Sequence, residues 1–196
     1  LFYIRNGMDL PFKIVGMLHA GSYDEYDFLN IQGMTPWATS FEYSVFNHVD
    51  KIFVATEFHK ELLTQTRMYQ TGKIDVTGFP IYPRPLAEIP RDLDIVFPHR
   101  LDYEKQPQVF DAVACKLSCY TCEKTALLKM SKPEYFHRLN RYKVAVSFAL
   151  QETWGIAMQE CVFAGCLPVV PDRLSYSEMY PELFKYSDLK DCVQKI

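Results

Sequence analysis

Short apolar runs flank a segment of helical periodicity in the second half of the chain. Mainly apolar residues fill positions 144–149 and 167–170, and between them a polar turn leads into a helix-period segment that Gly165 ends. The order strand, turn, helix and strand is typical of a parallel βαβ unit. The pattern therefore predicts such a unit over residues 144–171.

The same alternation runs through the rest of the chain. It predicts strands at residues 12–18, 51–55, 73–79 and 93–97, and helices at 40–48, 57–69, 106–116 and 133–141. Residues 23–37 are predicted as a loop or short helix, residues 172–178 cap a last helix, and residues 186–196 form an amphipathic tail. Thr56 is a predicted N-cap. Repeated βα order favours an α/β fold with two Rossmann-like, doubly wound domains that face a cleft.

A proline-rich stretch separates the two sets of elements. Four prolines fall within residues 80–90, and proline continues neither a helix nor a central strand. We therefore predict a domain boundary here, with an N-terminal domain over residues 1–86 and a C-terminal domain over residues 87–196.

Composition narrows the class of protein. The chain has 196 residues, 48% of them hydrophobic, a net charge of −3 and six cysteines. No apolar run approaches the roughly 18 residues of a membrane span, and sparse cysteines favour a reducing, cytoplasmic setting. There is no strong basic field for nucleic acid, although Arg5, Lys13, Lys60 and Arg67 leave a local basic face open. The chain begins at Leu1 within an aromatic segment, so we expect a piece of a longer protein.

Two glutamates bracket the predicted helix of the βαβ unit. Seven residues separate Glu152 from Glu160, and Gly155 lies between them near the helix start. On one continuous helix the two carboxylates would lie about 12 Å apart along the axis and within about a quarter turn of one face. The helix N-terminus adds free N–H groups that suit a phosphate. A sugar nucleotide, with hydroxyls at both ends and anionic charge between them, fits this layout; a solvated surface helix is the alternative.

Three segments together resemble one family, the retaining glycosyltransferases of the GT-B fold, in particular family four. The spacing of Glu152 and Glu160, with its continuation through Gly165 into a strand, is similar to the Glu-x7-Glu signature of that family. The segment HRLDYEK at residues 99–105 resembles its Arg…Glu-Lys segment after the first strand of the donor-binding domain. The segment KIFVATEFH at residues 51–59 resembles a strand and helix start of its N-terminal domain.

The resemblance implies a metal-independent enzyme without a cofactor, which moves a sugar from a nucleotide-diphosphate sugar to an acceptor hydroxyl. The C-terminal domain would bind the donor and the N-terminal domain the acceptor. By resemblance Arg100 and Lys105 would hold the diphosphate. Glu152 would contact the donor sugar, Glu160 the ribose hydroxyls, and His19, a weaker match, the sugar. The phosphate would meet the helix start at Thr153, Trp154, Gly155 and Ile156.

The chain also departs from the family. It has no N-terminal strand followed by a glycine-rich turn, and residues 112–129 are expected to be too short for the strand that should precede residue 133. Residues 165–181 are most similar to the branch with tRNA-queuosine mannosyltransferases and viral enzymes that glycosylate modified DNA bases. That branch makes a hydroxymethylated DNA base or a modified tRNA a candidate acceptor, and host cytoplasm the location if the protein is viral. A truncated, non-catalytic nucleotide-sugar-binding module and a sugar-nucleotide epimerase or phosphorylase remain alternatives.

Two possible metal motifs carry less weight. Cys115, Cys119 and Cys122 have the spacing of an iron–sulfur loop, or with His137 of a zinc site, but the context is poor for either. Asp92 and Asp94 form an Asp-x-Asp motif in front of a predicted strand, where a strand flank is the simpler interpretation. No metal is therefore expected.

Overall fold

The structure is a computed structural model that describes residues 1–82, 86 and 88–196. These residues form two compact units, Leu1–Phe79 and Pro80–Ile196. Each unit contains a parallel sheet, so the predicted α/β class is confirmed. The boundary predicted between residues 86 and 87 adjoins residues 83–85 and 87, which lie outside the described residues. The division into domains 1–86 and 87–196, and the cleft between them, stay predictions.

The first unit is a small three-stranded sheet with helices. Its strands, in the spatial order β1-β2-β3, are β1 (Val15–Met17), β2 (Lys51–Val54) and β3 (Ile74–Val76). Its helices are α1 (Phe2–Gly7), α2 (Phe28–Ile31), α3 (Thr35–His48) and α4 (Glu57–Arg67). A core of residues such as Phe46, Ile52 and Leu63 fills the space between sheet and helices.

The second unit has five parallel strands. They are β4 (Leu93–Phe97), β5 (Cys122–Lys124), β6 (Tyr142–Val146), β7 (Leu167–Pro171) and β8 (Lys185–Tyr186), in the spatial order β5-β4-β6-β7-β8. The helices are α5 (Pro107–Lys116), α6 (Lys132–Leu139), α7 (Ile156–Phe163), α8 (Tyr176–Met179) and α9 (Leu189–Lys195). The chain moves outward from β4 to β5 and then returns to the other side of β4. In such a sheet, ligands bind at the carboxyl ends of the two strands where the order reverses, here β4 and β6.

Both faces of this second sheet are covered. Val96 packs in one core cluster with Tyr142 and Met158, whereas its neighbours Ile95 and Phe97 pack in a second cluster. Successive strand residues point to opposite faces, so a strand that is apolar throughout needs cover on both sides. The three successive apolar residues Ile95, Val96 and Phe97 at the end of β4 therefore reflect a doubly wound sheet.

The structure corrects three expectations. The predicted tail at residues 186–196 contains a further helix, α9, so the helix that follows residues 172–178 is not the last one. Residues 112–129 are not too short to supply a strand, because β5 runs through them and pairs with β4. Helix α7 begins only at Ile156, so Glu152 lies in the loop before the helix and the angular estimate for two carboxylates on one helix does not apply. Glycine at 155 and the side chain of Glu152 itself delay the helix start, as described below.

Thr56 caps α4 as predicted, and this gives the first test of the fold. Its hydroxyl oxygen accepts from the backbone N–H of His59 at 3.2 Å. We expect Thr56→Ala to lower the free energy of unfolding by about 1 kcal/mol, whereas Thr56→Ser keeps the cap. Urea unfolding followed by the fluorescence of Trp37, in a Trp154→Phe background, measures the change in the first unit. Equal stability of the two variants would contradict the assignment of the cap.

Candidate functional site

The loops after β4 and β6 lie together at the carboxyl edge of the second sheet. The backbone N–H of Leu150, beyond β6, donates to the carbonyl oxygen of Glu104, beyond β4, at 2.7 Å. A short 3-10 helix at Tyr103–Lys105 then turns Lys105 toward the β6 loop. This is the edge at which a doubly wound sheet places its ligand.

Lys105 and Glu152 form the centre of this site. Nζ of Lys105 donates to the carbonyl oxygen of Gln151 at 2.6 Å and lies 3.3 Å from Oε2 of Glu152. The two side chains are only 10% and 16% exposed. Little water therefore screens this ion pair, and removal of either member leaves a largely buried charge.

Backbone N–H groups hold the other oxygen of Glu152. Oε1 accepts from Gly155 at 2.8 Å and, more weakly, from Trp154 at 3.4 Å. Burial raises the pKa of Glu152, but Lys105, His99 and these two N–H groups outweigh burial and leave the pKa below its ordinary value. Glu152 is thus an oriented carboxylate, ionised at neutral pH.

Gly155 starts α7 where another residue type fits poorly. Its φ is +69°, a conformation that glycine adopts without steric penalty. A Cβ atom there would lie 2.9 Å from Cε1 of Tyr176, whose side chain is fully buried. The turn brings the N-terminus of α7, with the positive end of its dipole, directly after the loop that carries Glu152.

Arg100 lies on the surface of the same edge. Its side chain is 74% exposed and its guanidinium contacts Glu104 at 3.0 Å and Asp102 at 3.2 Å. Glu104 is buried, so it anchors an otherwise solvent-exposed cation close to Lys105 in sequence. Exposed ion pairs of this kind are weak, and the guanidinium remains able to exchange its carboxylate partners for an anionic ligand.

Glu160 lies further along α7 and borders a cavity of about 290 Å³. Its carboxylate is 2.9 Å from Nζ of Lys132 on α6, and it also accepts a hydrogen bond from Tyr135, whose pKa is raised mainly by burial and further by Cys161 and Glu160. The cavity lies between α6, α7 and the start of the unit, and its lining is mainly apolar, with Pro80, Ile81, Tyr82, Phe136, Ile156 and Phe163 among the residues that form it.

The other residues predicted at the helix start lie in the loop before α7 or in the first turn of α7. Thr153 is buried, the N–H of Trp154 contacts Glu152, and Ile156 is half exposed at the cavity. Sequence reasoning assigned no role to three other residues here: His99, buried beside Glu152, and Lys132 and Tyr135, the partners of Glu160. His99 adjoins Arg100 in the quoted HRLDYEK segment, but nothing in the sequence signals that α6 brings Lys132 and Tyr135 to α7.

His19 belongs to the first unit, so its predicted approach to the sugar stays a prediction. Its ring packs on Phe79 with 4.3 Å between centroids. Nearby, Nε2 of the buried His59 lies 2.6 Å from the hydroxyl of Tyr23. Burial, and secondarily the charge of His19, lowers the pKa of His59 from 6.5 to about 4.

The buried His59 predicts a loss of stability in mild acid. Because its folded-state pKa lies below the unfolded value, the stability it contributes is complete above pH 6.5 and is lost as the pH falls toward 4. Between pH 7 and pH 5 we expect the free energy of unfolding of the first unit to fall by about 2 kcal/mol. The test is urea unfolding at several pH values, followed by Trp37 fluorescence in the Trp154→Phe background. A His59→Gln variant should flatten this dependence, and an unchanged slope in that variant would refute the assignment.

The described part of the chain contains neither a cluster of metal ligands nor a membrane-spanning helix. Among residues 1–82, 86 and 88–196, no group of three or more His, Cys, Asp or Glu side chains is arranged to hold a metal ion. The iron–sulfur or zinc interpretation of Cys115, Cys119 and Cys122 therefore finds no support. Within the same residues, every helix is too short or too polar for a membrane crossing.

Solved structures of glycosyltransferases share this fold. The chain matches Staphylococcus aureus TarM, in a complex with fondaparinux, alpha-GlcNAc-glycerol and UDP, with a TM-score of 0.69 and 13% identity over 93% of this chain and 43% of that one. The pneumococcal O-GlcNAc transferase GtfA, in complex with UDP and GlcNAc, gives a TM-score of 0.61 at 13% identity over 93% and 44%. The lipopolysaccharide outer core galactosyltransferase WaaB gives 0.65 at 14% over 99% and 60%.

One curated relative is also similar in sequence. The tRNA-queuosine alpha-mannosyltransferase of Drosophila melanogaster is 23% identical in an alignment of length 142, which covers 56% of this chain and 38% of that protein. No family model matches the chain. The resemblance to glycosyltransferases of the GT-B fold and family four is thus confirmed. The chain spans less than half the length of the mannosyltransferase, TarM and GtfA.

Proposed function

We propose that the second unit binds a nucleotide-diphosphate sugar and that the protein is a retaining glycosyltransferase that needs no metal. The observation that carries the proposal is the buried Lys105–Glu152 pair at the switch point of the sheet, directly before the N-terminus of α7. A cation and a helix N-terminus together suit a diphosphate. A fixed carboxylate beside them suits the hydroxyls of a sugar.

The proposed reaction exchanges one bond at the anomeric carbon for another. The acceptor hydroxyl attacks from the face that the diphosphate leaves, the bond between the anomeric carbon and the phosphate oxygen breaks, and the hydroxyl proton passes to the departing diphosphate. Arg100 and Lys105 neutralise the negative charge that grows on this leaving group. In this account the two cations and the helix N-terminus do the work that a divalent metal does in other transferases. We further propose that His19 contacts the donor sugar.

Glu160 is proposed to bind the ribose of the donor nucleotide. Its carboxylate borders the cavity and is paired with Lys132, and a carboxylate is well suited to accept from two neighbouring hydroxyls. We expect the wild type to bind UDP more tightly than 2′-deoxy-UDP, by about tenfold, and Glu160→Gln to lose most of this preference, since hydrogen bonds to a charged group exceed 1 kcal/mol.

Calorimetric titration with UDP and with 2′-deoxy-UDP measures the preference. The same comparison of GDP with 2′-deoxy-GDP extends the test to guanine nucleotides. Glu61→Gln, on an exposed position of the first unit, serves as a matched control and should keep the wild-type preference. If Glu160→Gln kept it as well, the ribose assignment would be wrong.

For the acceptor we propose a hydroxyl on a modified nucleobase. The support is the name of the mannosyltransferase relative, which acts on queuosine in tRNA. The test is release of nucleoside diphosphate from a panel of nucleotide sugars, with and without queuosine-containing tRNA or hydroxymethylated DNA. Release that depends on one donor and rises with one of these nucleic acids supports the proposal. Release that is the same with and without either nucleic acid would contradict the nucleobase acceptor. Nucleotide binding without any release would favour a non-catalytic donor-binding module.

A further inference from the structure

His99 is a buried histidine with an unused ring nitrogen at the proposed donor site. It lies two residues beyond β4, is 4% exposed, and packs edge-on against Phe97 with 5.2 Å between ring centroids. Its Nε2 atom is fully buried and has no hydrogen-bond partner among the residues that the structure describes. Buried polar atoms are nearly always paired, so this nitrogen indicates a partner that arrives only in another state of the site.

The surroundings of His99 keep its imidazole neutral. Burial lowers the pKa of His99 to about 4; Glu152 opposes that shift, and Lys105 and Arg100 add to it. A neutral imidazole has one N–H donor and one acceptor nitrogen. His99 is therefore able to donate to a carboxylate without bringing a further charge into the site.

Glu152 is the neighbour of His99 whose hydrogen-bond partners change during the proposed reaction. Its Oε1 is held by backbone N–H groups, whereas Oε2 faces the Lys105 ammonium. When Lys105 binds a diphosphate, Oε2 loses this cation, and a largely buried carboxylate then requires another donor. The charges of Glu152, Lys105 and Arg100 all act on His99. Lysine and arginine have only donors, so among these three groups Glu152 is the one that is able to accept from the imidazole.

We infer that His99 is a positioning residue, which donates from Nε2 to Oε2 of Glu152 once Lys105 turns to the diphosphate of the bound donor. The exchange of Lys105 for His99 keeps Glu152 aimed at the donor sugar while Lys105 neutralises the leaving group. The inference rests on the proposed function, because it is the diphosphate that draws Lys105 away.

Two substitutions separate the hydrogen bond from the packing. His99→Phe keeps a ring against Phe97 but removes both nitrogens, whereas His99→Gln removes the ring but carries an amide donor of similar reach. We expect His99→Phe to lower kcat by about tenfold or more and to change the Kd of the nucleoside diphosphate by less than about twofold. His99→Gln should recover most of kcat. An unchanged kcat in His99→Phe, equal losses in both variants, or a parallel loss of nucleoside diphosphate binding would each overturn the inference.

A second readout does not depend on turnover. In protein labelled with ¹⁵N-histidine, the Nε2 resonance of His99, assigned by its loss in His99→Gln, should shift when UDP or GDP saturates the site. In Lys105→Met it should already be shifted without nucleotide. A nucleotide that binds while this resonance stays in place overturns the inference alone. If neither UDP nor GDP nor a sugar derivative of either binds to the wild type, the proposed function fails, and the inference fails with it.

Discussion

Replacement of Lys105 by methionine is expected to abolish sugar transfer and to destabilise the second unit. The substitution removes the cation proposed for the diphosphate, and loss of one such electrostatic contact costs about a hundredfold or more in turnover. It also leaves Glu152 as a largely buried carboxylate without its counter-ion, which costs about 3 kcal/mol in the free energy of unfolding. Nucleoside diphosphate release and urea unfolding, followed by Trp154 fluorescence in a Trp37→Phe background, measure the two effects.

The double variant Lys105→Met with Glu152→Gln separates the two roles of the pair. A neutral amide retains an oxygen for the N–H of Gly155 and no longer needs a counter-ion, so we expect most of the lost stability to return. Turnover should stay as low as in the single variant, because the diphosphate still lacks its cation. Recovery of both stability and turnover in the double variant would mean that Lys105 and Glu152 form only a structural ion pair. Lys105 would then have no role in the proposed chemistry.

Substitution of Gly155 by alanine should cause a large loss of stability, and a larger one than the same substitution at Gly33, which has the same φ. Alanine at a φ of +69° costs about 1 kcal/mol from backbone strain alone, and the new Cβ would press on the buried ring of Tyr176 at 2.9 Å. We expect a total loss of about 3 kcal/mol in the free energy of unfolding of the second unit. Nucleotide binding should weaken as well, because the same turn sets the start of α7.

Gly33 supplies the matched control. It has the same φ of +69°, but a Cβ atom there meets nothing within 4 Å. Gly33→Ala, measured in the first unit through Trp37 fluorescence, should therefore show only the strain of about 1 kcal/mol. The difference between the two variants reports the close approach to Tyr176. Similar losses at both glycines would mean that the packing at Gly155 contributes nothing.

The strongest sequence signals are those that depend on burial of a strand on both faces. The segment LDIVF at residues 93–97 predicts β4 with the bounds that the structure gives, because its last three residues are apolar in succession, as a doubly covered strand requires. By contrast β5 consists of Cys122, Glu123 and Lys124. It is an edge strand, paired with β4 alone, and such a strand needs little apolar character. Its existence is decided by the neighbour that it pairs with, which no local pattern reveals.

The site divides in a similar way. Sequence motifs point to both Lys105 and Glu152, and the sheet topology brings them together at the switch point. No motif shows that Glu152 lies before the helix, because a glycine with positive φ and a carboxylate bound to backbone N–H groups decide where α7 begins. Lys132 and Tyr135 meet Glu160 only through the packing of α6 on α7. That contact is tertiary, and its residues lie more than one element apart along the chain.

The most direct test of the proposed donor site is a measurement of where a nucleoside diphosphate binds. The whole chain, labelled with ¹⁵N, would be titrated with UDP and with GDP while the backbone amide resonances are followed. We predict saturable shifts at Lys105, Gly155 and Ile156, and their loss in Lys105→Met. Saturable binding that leaves these three amides unmoved, or no binding of either nucleotide or of its sugar derivatives, would contradict the assignment of a donor site to the second unit.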